Sequence, residues 1–248
     1  MPMPEPVIHI RNLTTRFGDR IILDQINLDI YPHEVTVILG GSGCGKTTLM
    51  KSITGLVTPE KGEIHIFGRP FTESDEKHYK ETLERIGVLF QNGALLNSVT
   101  VKDNVAIPLE QHSHLDPELI EKSVAVKLQL VGLSHAMHLL PSELSGGMRK
   151  RAALARAIAL DPEILFCDEP SAGLDPLSSA ALDKLILTLK EQFNMSILVV
   201  THELASIHRI ADRIVFLDEG KILFTGTLED AKSCGIDTVE TFFETGSF

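Results

Sequence analysis

Cysteine is scarce in this sequence: Cys44, Cys167 and Cys234 are the three among 248 residues. The number is odd, no CxxC or Cys/His spacing suggests structural zinc, and no framework suggests a disulfide-stapled secreted domain. Long apolar runs are also missing. Stretches such as 197–200 are short, and none reaches the ~18 residues of a membrane span. The opening Met1-Pro2-Met3-Pro4-Glu5-Pro6 lacks the basic start and apolar stretch of a signal peptide. These absences lead to the expectation of a soluble protein of a reducing compartment, which another protein must hold if it works at a membrane. Positive charge is in deficit, with 23 Lys+Arg against 34 Asp+Glu and a net charge of −11. A broad nucleic-acid footprint needs a basic face, so nucleic acid is not an expected partner. No internal repeat, low-complexity tract or charged tail is present.

What remains is ordinary globular material. Hydrophobic residues make up 43% and charged residues 23%, enough to bury a sizeable core. Short β-branched runs alternate with helix-period segments, the pattern of a parallel sheet flanked by helices. The buried-strand runs are Val35–Leu39, 86–90, 164–167, 197–200 and 214–217. Leu182, Leu185, Ile186, Leu189 and Phe193 recur at spacings of three and four, marking an amphipathic helix. Residues 7–13, 26–30 and 64–67 read as strands without an intervening helix, forming a small antiparallel sheet. The stretch from 92 to 160 reads as mostly helical, with one helix from Pro117 through Leu130, ended by Gly132. A second helix is predicted from near Ser145 to Leu160. The expected organisation is a single domain, 1–248. Residues 1–91 and 161–248 form an α/β core with the antiparallel sheet, and 92–160 form an inserted helical subdomain.

Three motifs carry chemistry. Gly40-Gly41-Ser42-Gly43-Cys44-Gly45-Lys46-Thr47 fits GxxxxGK[ST] between a strand and the helical run 48–54. Glycines let the backbone wrap so that N–H groups converge on a phosphate at a helix N-terminus. Lys46 suits the β/γ oxygens and the Thr47 hydroxyl suits Mg²⁺, with Thr48 beside it. A chance match in a chain this long is expected at roughly 1%. Cys44, beside a helix start and near Lys46, is a candidate for a lowered thiol pKa; a small filler at a tight turn is the plain alternative. Second, residues 164–169 end a buried strand with two carboxylates. Asp168 suits a Mg²⁺ contact and Glu169 suits polarising a water, where an acidic turn is the plain alternative. Third, Leu144-Ser145-Gly146-Gly147-Met148 precedes a helix whose first turns hold Arg149, Lys150 and Arg151. Cations at a helix start oppose the macrodipole. With Ser145 as N-cap, this start is expected to turn free N–H groups and positive potential outward as a second anion site.

In this order, and with a later Thr201-His202, the motifs resemble an ATP-binding-cassette (ABC) ATPase over essentially the whole chain. The resemblance implies a P-loop NTPase fold: a RecA-like parallel core, an antiparallel β subdomain and an inserted helical subdomain. It implies ATP and Mg²⁺ as ligands and ATP hydrolysis as the reaction. Phe17 falls where an aromatic stacks on adenine, Gln91 where a glutamine senses Mg²⁺ and the membrane partner, Asp175 in the D-loop and His202 at the switch histidine. Alone, Phe17 reads as core, Gln91 as a loop residue and His202 as structural. Catalytic roles would fall to Glu169, His202 and Gln91. Metal contacts would come from Thr47, Gln91 and Asp168. Residues 40–48, Ser145, Gly146, Gly147, Asp175 and Phe17 would hold nucleotide. Met148 departs from the usual Gln of the signature.

Residues 90–96 and 141–156 are similar to the ATPase subunits of Mla (maintenance of lipid asymmetry) transporters, and 239–244 resemble that subfamily's final helix, with no longer contact tail expected beyond it. The implied partners are a second copy in a head-to-tail dimer, an integral membrane permease, an MCE-domain protein and a small accessory subunit. The implied location is peripheral, on the cytoplasmic face of the inner membrane. The implied cargo is phospholipid moving between the membranes of a Gram-negative envelope; the alternative is a small polar solute. ABC ATPases acting on DNA or ribosomes usually carry coiled-coil insertions or tandem cassettes, and this sequence shows neither. A nucleotide-regulated module without turnover fits Glu169 and His202 poorly.

Overall fold

Two sheets of different construction share the core of residues 4–245, the span described by a computed structural model. Met1, Pro2 and Met3 of the opening discussed above lie outside the described residues, as do residues 246–248. The chain begins with β1 (Ile8–Phe17), β2 (Arg20–Ile30), β3 (Val35–Leu39) and α1 (Lys46–Ile53). β4 (Lys61–Ile66), β5 (Arg69–Pro70), α2 (Glu76–Glu84) and β6 (Ile86–Leu89) follow. Next come α3 (Val101–His112), α4 (Pro117–Leu130), two short 3₁₀ turns and α5 (Gly146–Ala157). The chain returns through β7 (Ile164–Asp168), α6 (Pro176–Phe193), β8 (Ser196–Val200), α7 (Leu204–Ile210) and β9 (Arg213–Asp218). It closes with β10 (Lys221–Gly226), α8 (Leu228–Ala231) and α9 (Asp237–Thr245).

The small sheet has the order β2-β1-β4-β5 and is antiparallel throughout. β3 and α1 lie between its second and third strands in sequence, correcting the expectation of no intervening helix. The larger sheet has the order β10-β9-β3-β8-β7-β6, parallel except for the β9–β10 hairpin. β3, β7 and β8 are buried at every position, as continuous Val/Ile/Leu runs in a parallel sheet require. Their side chains alternate between two cores. Ile38, Phe166, Leu198 and Val200 face the antiparallel sheet and α1, whereas Val37, Leu39, Leu165 and Val199 face the opposite helices.

Residues 92–160 hold α3, α4 and α5 and no strand. α4 has the predicted bounds. α5 stops at Ala157 rather than Leu160, because the chain turns there and Asp161 N bonds back to Ile158 O at 3.2 Å. Among the described residues no helix is long and apolar enough to cross a membrane, and all three cysteines are free. For function, the parallel arrangement matters most. The carboxyl ends of β3, β8, β7 and β6 lie on one edge, where strands adjacent in space but not in sequence open a crevice.

Candidate active site

The loop leaving β3 is wound too tightly for side chains at Gly40 and Gly45. Gly40 has φ 151°, and a Cβ there would sit 1.8 Å from Leu217 O. Gly45 has φ 113° and is the N-cap of α1, with no side-chain hydrogen bond closing that terminus. An uncapped helix start offers its N–H groups to an anion. The loop is braced from outside: Gly220 N donates to Cys44 O at 3.1 Å, while Asp24 N donates to Gly220 O at 2.9 Å. Lys46 Nζ donates to Gly40 O at 2.8 Å and to Gly41 O at 2.9 Å. Ser42 and Gly43 are exposed at the loop's tip. Phe17 is 54% exposed, which overturns its reading as a core residue. It lines a recess of about 290 Å³ with Gly43, Gly45, Lys46, Thr47 and Thr48.

Cys44 corrects the sequence expectation. It is buried, and its burial pushes the thiol pKa up despite the nearby Lys46. Desolvation outweighs the ammonium, and the buried side chain suits a small filler at a tight turn.

The carboxylates stand beside this loop because β7 and β3 flank β8 in the sheet. Thr47 Oγ1 donates to Asp168 Oδ1 at 3.4 Å. Burial raises the Asp168 pKa, the Glu169 charge adds to this, and Thr47, Lys51 and Lys150 act against it. Glu169 has φ 44°, a left-handed conformation that a non-glycine residue holds only under constraint. Its N–H donates to Val200 O at 2.8 Å. His202, exposed two residues beyond the end of β8, brings its Nδ1 to 2.8 Å from Glu169 Oε1. The other carboxylate oxygen, Oε2, is buried and has no hydrogen-bond partner among the described residues. Thr47, Asp168, Glu169 and His202 are thus brought together.

The second glycine-bearing helix start lies elsewhere. Ser145 caps α5, its Oγ accepting from Met148 N at 3.3 Å, as predicted. Gly146 is exposed, and a Cβ on it would meet only Leu174 Cδ2 at 3.6 Å. Met148 packs against the core. Neither recess flanking the phosphate loop is lined by Ser145, Gly146 or Gly147. Asp175 is not drawn to the loop either. It caps α6, with Oδ1 accepting from Leu177 N and Ser178 N at 3.0 Å each; a hydrogen bond from the Ser178 side chain, followed by these backbone bonds, lowers its pKa.

The outward-facing basic start of α5 is a further correction. Arg149 is exposed, but Lys150 is buried and donates to Gln91 O and to Glu169 O, while Arg151 donates to Val131 O at 3.2 Å. Burial lowers the Lys150 pKa, opposed by Glu169 and Asp168. Gln91 enters this network through its backbone; its side chain is exposed on the turn after β6. Sequence reasoning missed Lys150's direction, although it shares a helical face with buried Ala153 and Leu154, three and four residues on.

The donor set fits Mg²⁺. Thr47 and Asp168 would supply hard oxygen ligands at the loop, and Glu169 Oε2, unpartnered among the described residues, is a buried oxygen nearby. Among the described residues no group of three or more His, Cys, Asp or Glu forms a metal cage. Mg²⁺ bound through one or two protein oxygens plus substrate phosphates needs none.

Residues 23–172 match the family described as ABC transporter. The chain is 44% identical over 227 residues to the intermembrane phospholipid transport system ATP-binding protein MlaF of Haemophilus influenzae, covering 92% of this chain and 86% of that protein. It is 43% identical to a probable ribonucleotide transport ATP-binding protein, mkl, of Mycobacterium leprae, covering 92% of this chain and 66% of that one. Its fold is similar to a dimeric ATP-binding cassette in a post-hydrolysis state bound to ADP and Pi, with a TM-score of 0.81 and 29% identity, over 89% of this chain and 98% of that chain.

Proposed function

This chain belongs to the ABC transporter ATPase family, and on that premise we propose that it hydrolyses ATP to drive phospholipid movement between the membranes of a Gram-negative envelope. The observation that carries the catalytic reading is the grouping of Thr47, Asp168, Glu169 and His202 beside an uncapped, glycine-wound helix start. Phe17 stacks on the adenine. The amides of residues 40–48 and the Lys46 ammonium hold the phosphates. Thr47 and Asp168, with Gln91, would hold Mg²⁺, which would supply charge neutralisation for the phosphates.

Glu169 takes a proton from a water as that water's oxygen bonds to the γ-phosphorus. The bond from phosphorus to the β–γ bridging oxygen breaks, and ADP leaves with the electron pair. His202 holds Glu169 by one ring nitrogen and presents the other to the γ-phosphate.

Ser145 and the Gly146 and Gly147 amides complete the phosphate cage of a second copy, and Asp175 adjoins that interface. Two copies thus form a head-to-tail dimer with two composite sites. Residues 92–160 act as a helical insert within one ABC domain, and the turn at Gln91 meets the membrane permease. An MCE-domain protein and a small accessory subunit complete the assembly, which holds this subunit on the cytoplasmic face of the inner membrane. The cargo reading rests on the likeness to MlaF. The likeness to mkl favours a second reading, a polar solute such as a ribonucleotide. Purifying the native complex and identifying its bound cargo by mass spectrometry separates the two. Phospholipid in stoichiometric amount is expected, and a nucleotide-bound permease without lipid contradicts it.

A further inference from the structure

α5 grips the turn after β6 at two points. Lys150 Nζ donates to Gln91 O. Further along the helix, Arg156 donates from Nη2 to Gly93 O at 2.8 Å and from Nη1 to Ala94 O at 2.7 Å. Between these points a Cβ on Gly93 would lie 3.1 Å from Ala153 Cβ, so the turn rests directly on the helix. Turn and helix are therefore laced into one body.

Lys150 carries that body across to another strand. The same ammonium donates to Glu169 O at 3.0 Å, at the end of β7. Glu169 is the residue whose φ of 44° needs constraint from its surroundings. Val200 O fixes its N–H, and Ala172 N donates to its carbonyl at 3.3 Å. Lys150 adds the charged tie. Burying an ammonium to bond two backbone carbonyls is a costly arrangement, and a neutral donor would serve packing alone.

We propose that Lys150 is a positioning residue for hydrolysis, locking the backbone of Glu169 to the first turns of the helix that begins at Ser145. This rests on the reading of Glu169 as the base and of Ser145 as serving the partner copy's nucleotide. Under that reading the strut has a consequence for the dimer. Ser145 faces one composite site and Glu169 the other, and Lys150 joins them within each chain. Seating of α5 on one nucleotide thereby sets the base at the other, and the two sites hydrolyse cooperatively.

The test measures phosphate release against ATP concentration for the full chain carrying Lys150→Met, Lys150→Gln or Lys150→Arg, with Glu169→Gln alongside. Lys150→Met is expected to lower kcat at least about tenfold, as misplacing a catalytic group does. Its half-saturating ATP concentration should stay within about twofold, and its Hill coefficient should fall from above one to about one. Lys150→Arg, which keeps charge and donors, should recover kcat to within about threefold of the unaltered chain. Should Lys150→Met fail to fold, Lys150→Gln keeps a donor for one carbonyl and carries the same readouts. Unaltered kcat and Hill coefficient in the neutral variants overturn the strut. So does a joint fall of kcat and ATP affinity in every folded neutral variant, the signature of packing alone. Unaltered turnover in Glu169→Gln would instead overturn the catalytic reading itself, whatever Lys150 does.

Discussion

The two glycine-bearing helix starts, at Gly45 and at Ser145, look alike in sequence and are built for opposite ends. At the phosphate loop two glycines, Gly40 and Gly45, are demanded by the chain's own packing. Gly40 and Gly45 have positive φ, and any Cβ there would strike Leu217 O or Leu23 Cδ2. The terminus is uncapped and braced by Gly220. At α5 the serine caps its helix, and Gly146 has an ordinary φ and room for a methyl group. Nothing in the chain itself requires glycine at that position. A glycine that the fold does not need leaves room for something approaching from outside, which under the proposed function is the phosphates bound to a second copy.

The comparison sharpens first at Glu169, the proposed base, which only the phosphate-loop side possesses. Glu169→Gln should cut turnover by about 10²–10⁴-fold, the usual scale of a general base, while calorimetry finds ATP still bound. The variant should also accumulate an ATP-dependent dimer by light scattering. Next, Gly40→Ala should destabilise the fold by roughly 3 kcal/mol in chemical denaturation, because backbone must move to admit the methyl group. Gly146→Ala is the counterpart with the opposite sign. It should leave stability unchanged or raise it by about 0.5 kcal/mol, yet slow hydrolysis about tenfold by holding the partner's phosphates off the amides. If Gly40→Ala and Gly146→Ala prove equally destabilising, the distinction between the two starts collapses.

Much of this architecture was legible because the informative residues are those the core constrains. β3, β7 and β8 read as strands since burial on both faces leaves no polar position to blur the run. β10 escaped because its residues alternate between exposed and half-buried at a sheet edge, and α2 because it is polar and buries only His78 and Thr82. α3 carries a readable capping box, Thr100 with Asp103, but Pro108 interrupts its pattern. In the site, residue type and order pointed to the phosphate loop, Asp168, Glu169 and His202, which the fold brings close together. The environment of single groups was another matter. That Cys44 is buried and Lys150 points inward depends on which neighbours surround each atom, and one-dimensional spacing records this only faintly.

The separation of the phosphate loop from the Ser145 start, and their meeting only across a dimer, is the claim on which the account stands. Ser145→Arg puts a long cation where the partner's nucleotide would rest and leaves the phosphate loop of its own chain untouched. The account predicts that calorimetry gives an ATP affinity for the variant within about twofold of the unaltered chain, less than the 1.4 kcal/mol of a tenfold change, while phosphate release falls to background. Hydrolysis at the unaltered rate by the Ser145→Arg protein would contradict it.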